Sequence, residues 1–283
     1  MSVIEVSGLV KSYGRNEVLR GISLAVEPGE VFGLLGPNGA GKTTTVEILE
    51  GYRTRDGGEV RVLGQDPGRA GPEFRARIGI VLQSSAVYPL LSVRETIDLF
   101  AGYYPHPRRP EEVIELVGLT EKIEARVRTL SGGQLRRLDL ALALVGDPEL
   151  IFLDEPTTGF DPAARRQAWD TIRGLRELGK SILLTTHYME EAQRLSDRIA
   201  ILGDGRIVAT GSPDELLSGQ GVVEIRFRRN GEETVIATTE PTRVLNELTS
   251  QALAEGVELE GLEVHRRTLE DVYLELTRER AEV

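Results

Sequence analysis

The sequence predicts an α/β domain, and three observations carry that reading. Short apolar runs without alternation stand at Val31–Leu35 and at residues 78–82, 150–153 and 182–184, the pattern of strands buried on both faces. Segments of helical period fall at 96–103, 110–117 and 132–145, the last with Leu135, Leu138, Leu142 and Val145 on one face. The 283 residues suffice for one large domain or for one plus a small appendage. The three helical segments lie between the second and third apolar runs, so they read as an inserted helical block, interrupted by Pro105, Pro107 and Pro110.

Composition shifts after Gly219, Gln220 and Gly221. From Gly221 onward, eight Arg stand against fourteen Asp and Glu, so this stretch holds more than half of the net charge of −11. Val223, Ile225 and Phe227 alternate with Glu224, Arg226 and Arg228, the mark of a half-buried strand, and Asn230-Gly231 signals a hairpin turn. Residues 241–253 read as a helix. A capping box of Thr268 and Asp271 opens another, with Leu269, Val272, Tyr273 and Leu276 on one face. Residues 221–283 therefore read as a small α+β accessory domain. No internal repeat or low-complexity tract is visible.

Charge and composition exclude several functions. A net charge of −11, with Arg pairs scattered along the chain, argues against an electrostatic grip on nucleic acid. The absence of Cys rules out disulfides and thiolate metal sites, and His106, His187 and His265 are too dispersed for a histidine metal centre. No stretch approaches the roughly 18 consecutive apolar residues of a membrane span. Residues 1–10 carry Glu5 and no basic residue, unlike a signal peptide.

The sharpest motif is GPNGAGKTT, which fits G-x-x-x-x-G-K-[ST]. It comprises Gly36, Pro37, Asn38, Gly39 and Ala40, then Gly41, Lys42, Thr43 and Thr44. Glycines let successive backbone N–H groups converge on an anion, and the helix that follows, ending at Gly51, aims its positive end at the phosphates. Lys42 then reaches the β- and γ-phosphates, and the Thr43 hydroxyl suits Mg²⁺. The third apolar run ends in Asp154-Glu155, beyond the carboxyl end of a strand where open α/β sheets bind ligands. Asp154 suits Mg²⁺ directly or through water, and Glu155 suits orienting or deprotonating an attacking water. Pro156 fixes the turn after them. Between these motifs Ser131 opens a helix, so its hydroxyl and the N–H groups of Gly132 and Gly133 form a second anion site.

The string LSGGQ, which ends at Gln134, together with LDEPTTGFDP and TTHYMEEA, resembles the signature set of the ATP-binding cassette (ABC) family. The likeness runs over residues 3–218 in the order Lys42, Gln83, Ser131, Asp154-Glu155, Asp161, His187. It implies a P-loop NTPase of ABC type: a core sheet with flanking helices, an inserted helical subdomain at about 84–146, and an N-terminal antiparallel β part, together forming a nucleotide-binding domain of residues 1–220. It further implies a sandwich dimer, a homodimer or a mixed pair, in which Ser131 and Gly133 of one subunit meet the γ-phosphate held by the other's loop. By the same resemblance Tyr13 stacks on adenine, Gln83 senses Mg²⁺ and the membrane partner, and His187 holds the γ-phosphate and the attacking water. Asp161 lies at the dimer seam, although as an N-cap before Pro162 it also has a local explanation.

The wording of residues 78–104, of TTHYMEEAQRLSDRIAIL and of TLEDVYLELT is similar to ATPase subunits of daunorubicin-resistance-type bacterial drug exporters. That branch implies a separate membrane-spanning subunit, reached through residues 84–94, and a cytoplasmic position on the inner face of the membrane. Two departures are Phe160, where the family often has Leu, and Leu82 before Gln83, where Pro is common. The expectation is an ATPase using ATP and Mg²⁺ to drive export, without nucleic acid as a partner. The alternative is a soluble ABC ATPase acting on ribosomes or chromosomes. Those proteins usually carry two cassettes or a long coiled coil, and neither is seen here. A binding-only cassette is opposed by the intact set Lys42, Asp154, Glu155 and His187. The acidic C-terminal part could regulate, dimerise, touch the membrane subunit or be passive; its charge does not discriminate among these.

Overall fold

The computed structural model describes residues 1–81, 87–217, 223–229, 232–266 and 268–278. The chain forms two compact units, Met1–Thr210 and Gly211–Val283. The first opens with β1 (Ile4–Tyr13) and β2 (Asn16–Val26), a hairpin of alternating burial, followed by β3 (Val31–Leu35), α1 (Lys42–Leu49) and β4 (Gly57–Val62). Strands β2, β1 and β4 make an antiparallel three-stranded sheet. This sheet is the N-terminal antiparallel part that the family likeness implied.

After α2 (Pro72–Ala76) and β5 (Ile78–Val81) come the inserted helices α3 (Val93–Ala101), α4 (Pro110–Leu116) and α5 (Gly132–Leu144). Ser92 and Glu95 cap α3 reciprocally, and Ser131 and Gln134 do the same for α5, so both helix starts are written locally. Then follow β6 (Leu150–Asp154), α6 (Pro162–Glu177), β7 (Ser181–Thr186), α7 (Met189–Leu195), β8 (Arg198–Gly203) and β9 (Arg206–Gly211). The main sheet runs β5-β6-β7-β3-β8-β9, with parallel pairing from β5 through β8.

Its central strands are buried on both faces, and the period of two sends neighbours to different cores. Phe152 and Leu183 pack with Phe32, Leu34 and the three-stranded sheet. Ile151, Leu153, Ile182 and Leu184 pack with α5 and with Trp169, Ile172 and Leu175 of α6. The expected apolar stripe of α5 is buried at Leu138, Leu142 and Val145, with Leu135 partly buried against the same core.

The second unit contains α8 (Pro213–Leu217), β10 (Val223–Arg229), β11 (Glu232–Thr238), α9 (Pro241–Glu255), β12 (Glu260–Arg266) and α10 (Leu269–Arg278). Its antiparallel sheet is ordered β11-β10-β12, with Ile225 and Phe227 buried as alternation required. Asp271 accepts from the Thr268 amide at 2.8 Å and donates its own amide to Thr268 Oγ1 at 3.3 Å, the reciprocal cap. The Asn230-Gly231 turn lies outside the described residues. This unit begins at Gly211, ahead of the compositional break, because α8 packs against α10.

Phe152 is fully buried in the strand that leads to Asp154. Phe152→Ala is expected to lower unfolding stability by about 3–5 kcal/mol, read from the midpoint of urea denaturation. An unchanged midpoint would show that the core around β6 is not close-packed.

Candidate functional site

The parallel order places the carboxyl ends of β3, β7 and β6 side by side, and the site grows from those ends. β3 runs into the 36–44 loop, where Gly39 (φ 83°) and Gly41 (φ 105°) take left-handed conformations. A Cβ on Gly41 would lie 2.5 Å from Leu19 Cδ2, and one on Gly36 would lie 2.5 Å from the Leu202 carbonyl oxygen. Gly39 is thus required by conformation, Gly36 by space and Gly41 by both. The loop curls around Lys42, whose Nζ donates to the carbonyls of Gly36 (2.8 Å) and Pro37 (3.1 Å). Ala40 is buried and donates its amide to Pro37. Gly41 caps α1, so its N-terminal dipole opens on the cleft.

Lys42 Nζ also lies 3.2 Å from Glu155 Oε1, both side chains nearly buried. His187 Nδ1 sits 3.3 Å from Glu155 Oε2 but makes no hydrogen bond among the described residues, because the two groups are poorly aligned. Thr158 Oγ1 donates to Glu155 Oε2 at 3.1 Å. Burial raises the Glu155 carboxyl, yet Lys42, then His187 and Thr158, outweigh it and hold the group below the ordinary carboxylate range. Asp154 is buried, and its Oδ2 accepts from Thr43 Oγ1 at 3.1 Å while Oδ1 accepts from Thr185 Oγ1. A hydroxyl and a carboxylate, both hard oxygen donors on facing elements, fit Mg²⁺.

One open cleft is lined by Asn16, Val18, Asn38, Gly39, Gly41, Lys42, Thr43, Thr44, Glu155, Thr158 and His187. Its chemistry is that of a polyanion site with a carboxylate and an imidazole at one end. Tyr13 stands at the end of β1 opposite Asn16, half exposed, with Lys11 Nζ and the Arg53 guanidinium 5.6 and 5.3 Å from its ring centre. Ser131, Gly132, Gly133, Gln134 and Asp161 line a second cleft, to which Lys42 does not contribute. Ser131 Oγ accepts from the Gln134 amide at 3.3 Å, and Asp161 caps α6 through the amides of Ala163 and Ala164. Gln83 lies outside the described residues.

Sequence reading missed Asn16, Thr158 and Thr185. Thr158 and Thr185 left a trace inside the LDEPTTGFDP and TTHYMEEA strings, Thr185 also as a polar residue ending the apolar run of β7, and Asn16 left none. Glu50 was missed as well. It ends α1, is 5% exposed, and its carboxyl is pushed up to about 8 by burial, then by the nearby charges of Asp154 and Glu47.

The family described as ABC transporter matches residues 19–158. The Nod factor export ATP-binding protein I of Ralstonia nicotianae is 40% identical over 303 residues, covering 97% of this chain and 94% of that protein. The daunorubicin resistance ATP-binding protein DrrA3 of Streptomyces coeruleorubidus is 38% identical, covering 98% of this chain and 96% of its own length. Among solved structures, the ATP binding subunit of an ABC transporter matches 98% of this chain with a TM-score of 0.72 at 23% identity, a likeness of fold.

Glu50 has a sign opposite to that of Glu155. The native state keeps the Glu50 proton up to about 8, whereas the unfolded chain releases it in the ordinary carboxyl range, so stability falls as pH rises through that window. Glu50→Gln stays neutral throughout. Its melting temperature is expected to match the native chain near ~pH 5 and to exceed it near ~pH 8.5, measured by scanning calorimetry. Equal melting temperatures at both values would show that Glu50 holds no such proton.

Proposed function

The chain belongs to the ABC transporter family as one of its ATPases, and on that premise we propose that it energises a membrane exporter through ATP-dependent dimerisation. The observation that carries this reading is the Glu155 carboxylate set between Lys42 and His187 in the phosphate-loop cleft. Amides of the 36–44 loop and Lys42 grip the β- and γ-phosphates, and Tyr13, half exposed at the end of β1, stacks on adenine. Thr43 and Asp154 would hold Mg²⁺, which when bound would supply positive charge beside the phosphates. Glu155 stays ionised at neutral pH and orients the attacking water as its base. His187 Nδ1, buried without a protein hydrogen bond among the described residues, serves the γ-phosphate and the water. The roles given to Gln83, as Mg²⁺ and partner sensor, rest on the family likeness.

The second cleft completes the site in trans. Ser131, Gly132, Gly133 and Gln134 of one copy close on the phosphates held by another, with Asp161 at the seam. The nucleotide-binding domain, expected over residues 1–220 with its helical subdomain at about 84–146, corresponds to the first compact unit, and the accessory domain, expected over 221–283, to the second, which takes in α8 as well. Relatives bear the names of export and drug-resistance ATP-binding proteins, and among the described residues no helix is long and apolar enough to cross a membrane. Both facts support a separate membrane-spanning subunit and a peripheral position on the cytoplasmic face. A drug or another amphipathic compound is the class of cargo those names favour.

Glu155→Gln keeps the shape of the side chain and removes the base. Turnover of ATP is expected to fall about 100-fold or more while ATP affinity is retained, and light scattering is expected to show a dimer with ATP bound. Near-native turnover would remove Glu155 from this role, and a monomer at saturating ATP would contradict the closure of two copies.

A further inference from the structure

Glu155 is a non-glycine residue at φ 47°, in the left-handed region. Such a conformation persists only where its surroundings over-determine it. Part of the restraint comes from β7, where the Glu155 amide donates to the carbonyl (3.1 Å) and hydroxyl (3.0 Å) oxygens of Thr185. More comes from Thr158, whose amide donates to the Glu155 carbonyl (3.2 Å), and from helices that do not line the phosphate-loop cleft. Arg136 of α5 donates from Nε to the Pro156 carbonyl (3.1 Å) and from Nη2 to the Asp154 carbonyl (3.3 Å), the carbonyls of the residues on either side of Glu155. From α7, Glu191 is fully buried and accepts at Oε1 from Thr157 Oγ1 (2.6 Å) and from Trp169 Nε1 (3.0 Å).

We propose that Arg136 and Glu191 are positioning residues for ATP hydrolysis, a two-sided clamp on the 154–157 turn that keeps the Glu155 carboxylate aligned with the attacking water. The inference rests on the assignment of Glu155 as the base. A planar guanidinium spans both carbonyls at once, which a lysine ammonium, as a single point donor, does not. Burial lowers the tendency of Arg136 to stay protonated, and Asp139, Asp154 and Glu191 around it oppose that effect. Arg136 lies in the same helix that Ser131 caps, so the residue facing a second copy and the residue holding the hydrolytic turn share one rigid element.

The test measures steady-state ATP turnover of the full chain with Mg²⁺ for Arg136→Met, Arg136→Lys and Thr157→Val, in the native and Glu155→Gln backgrounds. Trp169, the one tryptophan of the chain, reports folding through its emission. Arg136→Met is expected to lower kcat about tenfold or more with KM for ATP within about twofold, and Arg136→Lys to recover part of that loss. In the Glu155→Gln background Arg136→Met is expected to cost nothing further, because it acts through the group already removed. Native kcat in Arg136→Met, or the same fold-loss in both backgrounds, overturns the clamp. If Arg136→Met does not fold, Thr157→Val decides: a kcat reduced severalfold at constant KM supports the clamp, and a native kcat overturns it. Near-native turnover in Glu155→Gln alone overturns the assignment of Glu155 and the clamp with it, whereas loss there beside a native Arg136→Met overturns the clamp alone.

Discussion

The contact between Lys42 and Glu155, 3.2 Å apart and nearly buried, is the constraint on which the rest of the site depends. It joins the loop after β3 to the turn after β6, two elements far apart in the chain that sit on either side of β7 in the sheet. Neither charge is tolerable alone at that depth. Removing one partner of a buried pair typically costs about 3–5 kcal/mol, because the other remains desolvated. The sheet order therefore does more than stack strands. It brings together an ammonium and a carboxylate whose pairing requires the loop to curl and the turn to adopt a left-handed residue.

The electrostatics divide the surrounding carboxyl groups by the same rule. Glu155 is buried beside a cation and is held below its ordinary range, whereas Glu50 is buried beside Asp154 and Glu47 and is pushed up to about 8. Glu50 and the cation that pairs with Glu155 belong to one stretch of structure, since Lys42 opens α1 and Glu50 closes it. The helix presents its positive end to the phosphate loop and carries no basic residue in its last turn, so nothing there offsets the cost of ionising Glu50. An anion-binding end and a protonated end thus lie within one short helix.

Features written in consecutive residues were legible in the sequence. The phosphate loop declared itself by glycine spacing, the central strands by unbroken apolar runs, and the starts of α5 and α6 by their capping residues. The 268–271 box was equally local. Strands β9, β11 and β12 gave weaker signals, because half-buried edge strands need no continuous apolar run, whereas β8 holds such a run in Ile199, Ala200, Ile201 and Leu202, all fully buried, that was passed over. The supports of Glu155 were not legible at all. Arg136 belongs to one of the scattered arginine pairs, and Thr157, Thr185 and Glu191 stand inside the LDEPTTGFDP and TTHYMEEA strings without a role of their own, since their partners come from other elements of the fold. Trp169 packs in the core beside Ile172 and Leu175, and its indole donation to Glu191 requires α6 and α7 to be in place. Local chemistry announces itself in sequence, while the second layer that aims it is created by tertiary contact.

The coupling free energy between Lys42 and Glu155 tests this dependence most directly. It is obtained from unfolding stabilities of Lys42→Met, Glu155→Gln and the double variant. A favourable coupling of about 1–3 kcal/mol is expected, with the double variant more stable than the sum of the single losses. Strict additivity of the two substitutions would mean that the phosphate loop and the hydrolytic turn hold their places independently, contrary to the picture drawn here.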